Sequence, residues 1–166
     1  MNGDDRPAAV SEEASAPCQS GKPARIVLET TMSAVETGRL AILDHLAPLA
    51  LDDRVINRIE VIFEELVGNL VRHGAVDSIT LDILTRPDEI EFAVEDEGAE
   101  FNPLELTTPA RFTTLEEAEL GGLGIPLVRR LSRSVRYQRI DPEDDDREVG
   151  RNRVVVTVAR DQGTTS

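Results

Sequence analysis

The sequence predicts an α+β domain, and three observations point there. Val55, Ile59, Ile62, Leu66 and Leu70 recur at the helical period through a long segment running from Asp52 or Asp53 to His73. Two short segments alternate instead: 78–84 puts Ile79, Leu81 and Ile83 on one face, and 89–95 does the same with Ile90, Phe92 and Val94. The turn Arg86-Pro87-Asp88 between them predicts a hairpin.

Residues 1–23 mix Ala, Ser, Glu, Asp and Pro without periodicity and read as a disordered tail. One domain is expected over 24–160, followed by a short tail, 161–166. It opens with a strand, 25–29. A helix over 33–48 follows, with Val35, Leu40, Ile42, Leu43 and Leu46 as its apolar face and Ser33 as its cap. The long helix stops at Gly74, the expected C′ glycine. After the hairpin, residues 96–123 form a polar connection containing glycine and threonine, and its length suggests a lid. A helix over 124–133, a strand over 134–140 and a last strand over 154–159 complete the domain. The acidic run 141–148 invites a calcium reading, but it lacks the spaced ligands and pivot glycine of a calcium loop and reads as a solvated hairpin tip.

A chain of 166 residues suits one domain with a real core. Its formal charge of −14, with no basic stripe, argues against a nucleic-acid partner. A nucleotide is compatible, because backbone N–H groups and a metal can hold its phosphates. Lys22 is the only lysine, so a phosphate loop built on a lysine after its glycines is excluded. Cys18 can form no internal disulfide, and with only His45 and His73 beside it a Cys/His metal site is out of reach. No apolar run is long enough for a membrane span, and the acidic N-terminus does not read as a signal peptide, so a cytoplasmic protein is expected.

Three motifs carry chemistry. In Phe63-Glu64-Glu65-Leu66-Val67-Gly68-Asn69, Glu65 and Asn69 lie four residues apart on one helix face, at the margin of the apolar stripe. A carboxylate there can take a proton from a hydroxyl, and a carboxamide oxygen is a hard ligand suited to Mg²⁺. Such a pair is also common on solvated helices. Next, Val94-Glu95-Asp96-Glu97-Gly98 ends a strand in an acid and then a glycine. The acid can accept from an exocyclic amine and the glycine admits a flat ring, although an ordinary Asp-x-Gly turn looks the same. Finally, Gly121-Gly122-Leu123-Gly124 opens a helix, whose free N–H groups and positive dipole end suit phosphate. Pro126 is tolerated in the first turn.

In that order, these motifs resemble the GHKL ATP-binding superfamily, which includes histidine kinases and type II topoisomerases. The likeness covers about residues 25–160. Within the superfamily the chain is most similar to the anti-sigma factor serine/threonine kinases of the RsbW and SpoIIAB type, through EELVGNLVRHG, VEDEGAEFNP, FTTLEEAELGGLGIPLVRRL and GRNRVVVTV. The resemblance implies a Bergerat fold: a two-layer α/β sandwich with a mixed sheet covered on one face by helices, and ATP–Mg²⁺ between helices and lid. By the same resemblance Glu65 would be the general base, Asn69 the Mg²⁺ ligand and Asp96 the reader of the adenine amine. Gly98 would make room for the base. Gly122 and Gly124 would cradle phosphates beside Gly121, Thr113 and Thr114 would fix the phosphate tail, and Asn152 would add an adenine-side contact. His73 would either reach a phosphate or simply close the helix.

The implied function is partner switching: the chain binds a sigma factor and phosphorylates a STAS-type anti-sigma antagonist, with a homodimer formed through the sheet side. One departure favours an alternative. Glu117-Ala118-Glu119-Leu120-Gly121 carries no base where several such kinases have one, so a non-catalytic ATP-binding docking module is the second reading. A detached histidine-kinase catalytic domain is disfavoured, since His45 lies in the first helix of the ATP domain itself.

Overall fold

The computed structural model describes residues 23–105, 124–144 and 148–160. The tails expected over 1–23 and 161–166 lie outside the described residues, residue 23 excepted. The elements run β1 (Ala24–Glu29), α1 (Met32–Leu46), α2 (Asp53–His73), β2 (Ser78–Thr85), β3 (Glu89–Asp96), α3 (Gly124–Leu131), β4 (Ser134–Ile140) and β5 (Arg151–Ala159). Short 3₁₀ turns occupy Ala47–Leu49, Pro103–Glu105 and Pro142–Asp144. The α+β sandwich expected from the sequence is present. Its sheet, however, is not mixed: the strand order is β1-β2-β3-β5-β4, and every pairing is antiparallel. The last strand inserts between β3 and β4, a long-range pairing that no local pattern announces.

α2 is the spine. Asp52 caps it, its carboxylate accepting from the Arg54 N–H at 2.8 Å, which satisfies one of the orphan donors of the first turn. The buried face takes in Val55, Ile59, Ile62, Leu66 and also Phe63 and Val67. Each of these side chains contributes roughly 1.5–3 kcal/mol on burial, before entropy is charged against it. Leu70 is only half-buried, because it turns toward a cleft. Gly74 ends the helix with φ −78°, not in the left-handed region. Glycine is needed there for close approach instead: a Cβ would sit 2.6 Å from the Leu70 carbonyl oxygen.

α1 corrects the expected face. Its buried residues are Ala34, Gly38, Ile42 and Leu46, whereas Leu40 is 52% exposed. Small residues win because the helix lies tight on its neighbours: a Cβ at Gly38 would meet Phe63 Cζ at 2.6 Å and Leu28 Cδ1 at 2.7 Å. The N-cap is Thr31 rather than Ser33, and it makes no capping bond.

Sheet alternation sorts the remaining side chains. Ile79, Leu81, Ile83, Ile90, Phe92, Val94, Val154, Val156 and Val158 face the helices and form the core with them. The opposite face carries an ion-pair ladder. Arg25 meets Asp82 at 2.6 Å, Arg153 joins Asp82 (3.0 Å) to Glu95 (2.8 Å), and Arg151 closes on the buried Glu95. The Arg25 guanidinium, seconded by Arg153, holds the Asp82 carboxyl below its ordinary value.

Candidate functional site

A cleft of about 510 Å³ opens between α2, the ends of β3 and β5, the segment after β3 and the start of α3. Asn69, His73, Asp96, Gly98 and Asn152 line it, with Phe101 and Ile125 supplying apolar wall. A hollow of about 380 Å³ on the other face of the sheet is lined by Arg25, Asp82 and Arg153, whose charges already answer one another.

At one end of the cleft α2 presents its carboxylate and carboxamide. Glu65 and Asn69 both face the first residue of α3: a Cβ on Gly124 would fall 2.5 Å from Glu65 Oε2 and 3.4 Å from Asn69 Nδ2. Only glycine lets the helix start approach this closely. Arg72, one turn further, donates from Nη2 to Asn69 Oδ1 at 3.3 Å. Its guanidinium folds back over Gly68, where a Cβ would lie 3.0 Å from Nη1. His73 lines the same cleft and is exposed.

At the other end, β3 and β5 place Asp96 directly opposite Asn152. Asp96 Oδ1 accepts from the Gly98 N–H (2.9 Å) and from Asn152 Nδ2 (3.0 Å). Its Oδ2 has no hydrogen-bond partner among the described residues, although the side chain is 8% exposed. An unanswered carboxylate oxygen in such a position is an acceptor waiting for a donor. Gly98 is held tight: a Cβ would come 2.8 Å from Asp96 Oδ1 and 2.9 Å from Val76 Cγ1.

Asn152 is a hub. Its Nδ2 also donates to the Ala99 carbonyl at 2.9 Å. Its Oδ1 accepts from Tyr137 Oη (2.9 Å), Arg139 Nη1 (3.0 Å) and the Phe101 N–H (3.2 Å). The same Arg139 Nη1 reaches the Gly98 carbonyl at 3.0 Å. Burial pushes the Tyr137 phenol above its ordinary value, so it remains a donor at neutral pH. Sequence reading found Asn152 but missed Tyr137, Arg139 and Gly150. The signal was the alternation Val135, Tyr137, Arg139 along β4, which puts a phenol and a guanidinium on the half-buried face.

Among the residues expected in the site, the structure brings Glu65, Asn69 and Gly124 together at one end and Asp96, Gly98 and Asn152 at the other. Thr113, Thr114, Gly121 and Gly122 lie outside the described residues. The donor set suits a nucleotide with a hard divalent cation. A carboxylate acceptor and a Cβ-free ledge lie at one end, and a carboxamide oxygen beside a glycine-opened helix start lies at the other.

Comparison with known proteins bears on the family and the fold. The family model described as the histidine kinase-like ATPase domain matches residues 28–162. The serine/threonine-protein kinase BtrW of Bordetella bronchiseptica is 29% identical over 123 residues, 69% of this chain and 84% of that protein. A crystal structure of the RsbU and RsbW domains of a Mycobacterium tuberculosis protein superposes with a TM-score of 0.58 at 20% identity, over 84% of this chain. The match spans 33% of that longer chain. No helix among the described residues is long and apolar enough to cross a membrane.

Proposed function

The chain belongs to the histidine kinase-like ATPase domain family, and from that premise we propose that it is an anti-sigma factor kinase. It binds ATP with Mg²⁺ and transfers the terminal phosphoryl group to a serine or threonine of a STAS-type anti-sigma antagonist. The observation carrying this reading is the cleft lined by Asp96 and Asn69, with Glu65 beside Asn69 at the close approach of Gly124.

Asp96 and Gly98 orient the purine, with Asp96 Oδ2 accepting from the exocyclic amine. Asn69 Oδ1 would hold the cation, which would supply neutralisation of phosphate charge. The N–H groups at the start of α3 hold the phosphate end. Glu65 takes the proton of the acceptor hydroxyl as that oxygen bonds to the terminal phosphorus and ADP departs. Thr113, Thr114, Gly121 and Gly122 would add phosphate contacts from the connecting segment. A phosphorylated antagonist no longer docks, so the sigma factor stays captured. The protein works in the cytoplasm as a homodimer through the open sheet face.

Incubation with γ-labelled ATP, Mg²⁺ and the candidate antagonist tests this: label should appear on an antagonist hydroxyl and vanish with Glu65→Ala. ATP binding without transfer to any cognate partner would instead favour a docking module that uses nucleotide only to set its shape. The absence of a base in 117–121 is what keeps that second reading open. Arg72, already bonded to Asn69 Oδ1, is a cation on α2 at that end of the cleft.

A further inference from the structure

Three donors converge on one oxygen in this site, and their origin has a consequence for base choice. Asn152 is 5% exposed, and its carboxamide could in principle sit either way round. Arg139 settles the matter, because a guanidinium only donates. With Arg139, Tyr137 and the Phe101 N–H all aimed at it, the atom they meet must be the oxygen. The NH₂ group then has to point at Asp96 Oδ1 and the Ala99 carbonyl, both acceptors. Turning the amide over would set three donors against an NH₂ and an oxygen against a carboxylate. Asp96 Oδ1 is thereby committed as an acceptor, and its other oxygen is left uncommitted. Adenine offers an amine at that edge, whereas guanine offers a carbonyl oxygen.

Arg139 is itself seated by Gly150. A Cβ there would lie 2.5 Å from Nη2, 3.0 Å from Cζ and 3.1 Å from Nε, so the guanidinium lies flat over the glycine. From that seat Nη1 spans both the Gly98 carbonyl and Asn152 Oδ1. One residue thus holds the ledge under the base and the amide that orients the carboxylate.

We infer that Arg139, seated on Gly150, is a positioning residue for nucleobase selection: acting through Asn152 and Gly98, it sets the preference for adenine over guanine. This rests on the nucleotide reading proposed above. Arg139 does not line the cleft, so its removal is expected to act on discrimination rather than on general affinity.

Calorimetric titration of ATP–Mg²⁺ and GTP–Mg²⁺ into the wild type, Arg139→Ala, Arg139→Lys and Gly150→Ala tests it. The wild type should favour ATP. Arg139→Ala should narrow the ratio of GTP to ATP dissociation constants about tenfold, the worth of one well-made hydrogen bond to a charged group. Gly150→Ala, which leaves Arg139 in place but unseats it, should narrow the ratio in the same direction. Arg139→Lys keeps the charge without the fork and should fall between. An unchanged ratio in the folded variants, or equal weakening toward both nucleotides, overturns the inference. If the wild type binds neither nucleotide, the nucleotide reading falls and takes this with it. If the wild type selects adenine and the variants select it equally well, only the role of Arg139 falls.

Discussion

The two ends of the cleft are built differently. At the base end every polar atom of Asn152 is engaged, and Tyr137, Arg139 and three backbone groups lock Asp96 and Gly98 in place. At the α2 end the described residues make a single hydrogen bond, Arg72 to Asn69, and otherwise rely on the close approach of Gly124 to Glu65. The difference follows the chemistry. A flat base is recognised best by groups that cannot turn away, since reorganisation would erode discrimination. A base and a metal ligand need a lone pair left over, and Asn69 Oδ1, accepting one hydrogen bond from Arg72, keeps its second. On the proposed reading, recognition would be fixed by the sheet and chemistry left on the helix.

The largest test of that contrast is Glu65→Gln. Isosteric loss of the proton acceptor should lower phosphoryl transfer about 100- to 10,000-fold while leaving ATP affinity nearly unchanged, read by label transfer beside calorimetry. A large loss of binding would mean that the α2 end also holds the nucleotide together. Next comes Asp96→Asn, expected to weaken ATP binding about 10- to 100-fold with little change in magnesium dependence. Asn69→Ala should do the reverse: about a tenfold loss confined to the Mg²⁺-dependent part of the affinity, seen by titrating ATP with and without the cation.

The smallest effect should come from Asp82→Asn, outside both ends. Folding holds the Asp82 carboxyl below its unfolded value, so its contribution is present above pH ~4 and lost as pH falls through the lower, folded value. The wild type should therefore lose thermal stability on acidification, and the variant less steeply. At neutral pH the variant should cost under about 1 kcal/mol, Arg25 being 58% exposed, with ATP binding unaffected.

Much of this was legible beforehand because it is local. The bounds of α2, the β2–β3 hairpin and β4 follow from periodicity and turn chemistry. Glu65 and Asn69 are neighbours by helix geometry alone, and Asp96 and Gly98 by a tight turn. What was not legible depends on partners distant in sequence. Nothing in 33–48 says that Phe63 lies beneath Gly38, so the bulky Leu40 looked like a better core residue than it is. Nothing in 151–159 says that this strand slots beside β3, which makes the sheet antiparallel throughout. Asn152 was expected on the adenine side and lines the cleft; that both of its polar atoms are also bonded to protein is visible only once Tyr137 and Arg139 are set beside it.

The pairing of Asp96 with Asn152, 56 residues apart, has a further consequence. On the proposed reading half of the base seat comes from β5, so a growing polypeptide would not grip nucleotide until that strand has been made. A one-residue slip between these two strands would set Asn152 opposite Glu95, a side chain of the opposite face, in place of Asp96. Affinity for nucleotide, if the proposed site holds it, would double as an assay of correct sheet assembly, and a cell rich in the ligand would favour the properly registered form by mass action.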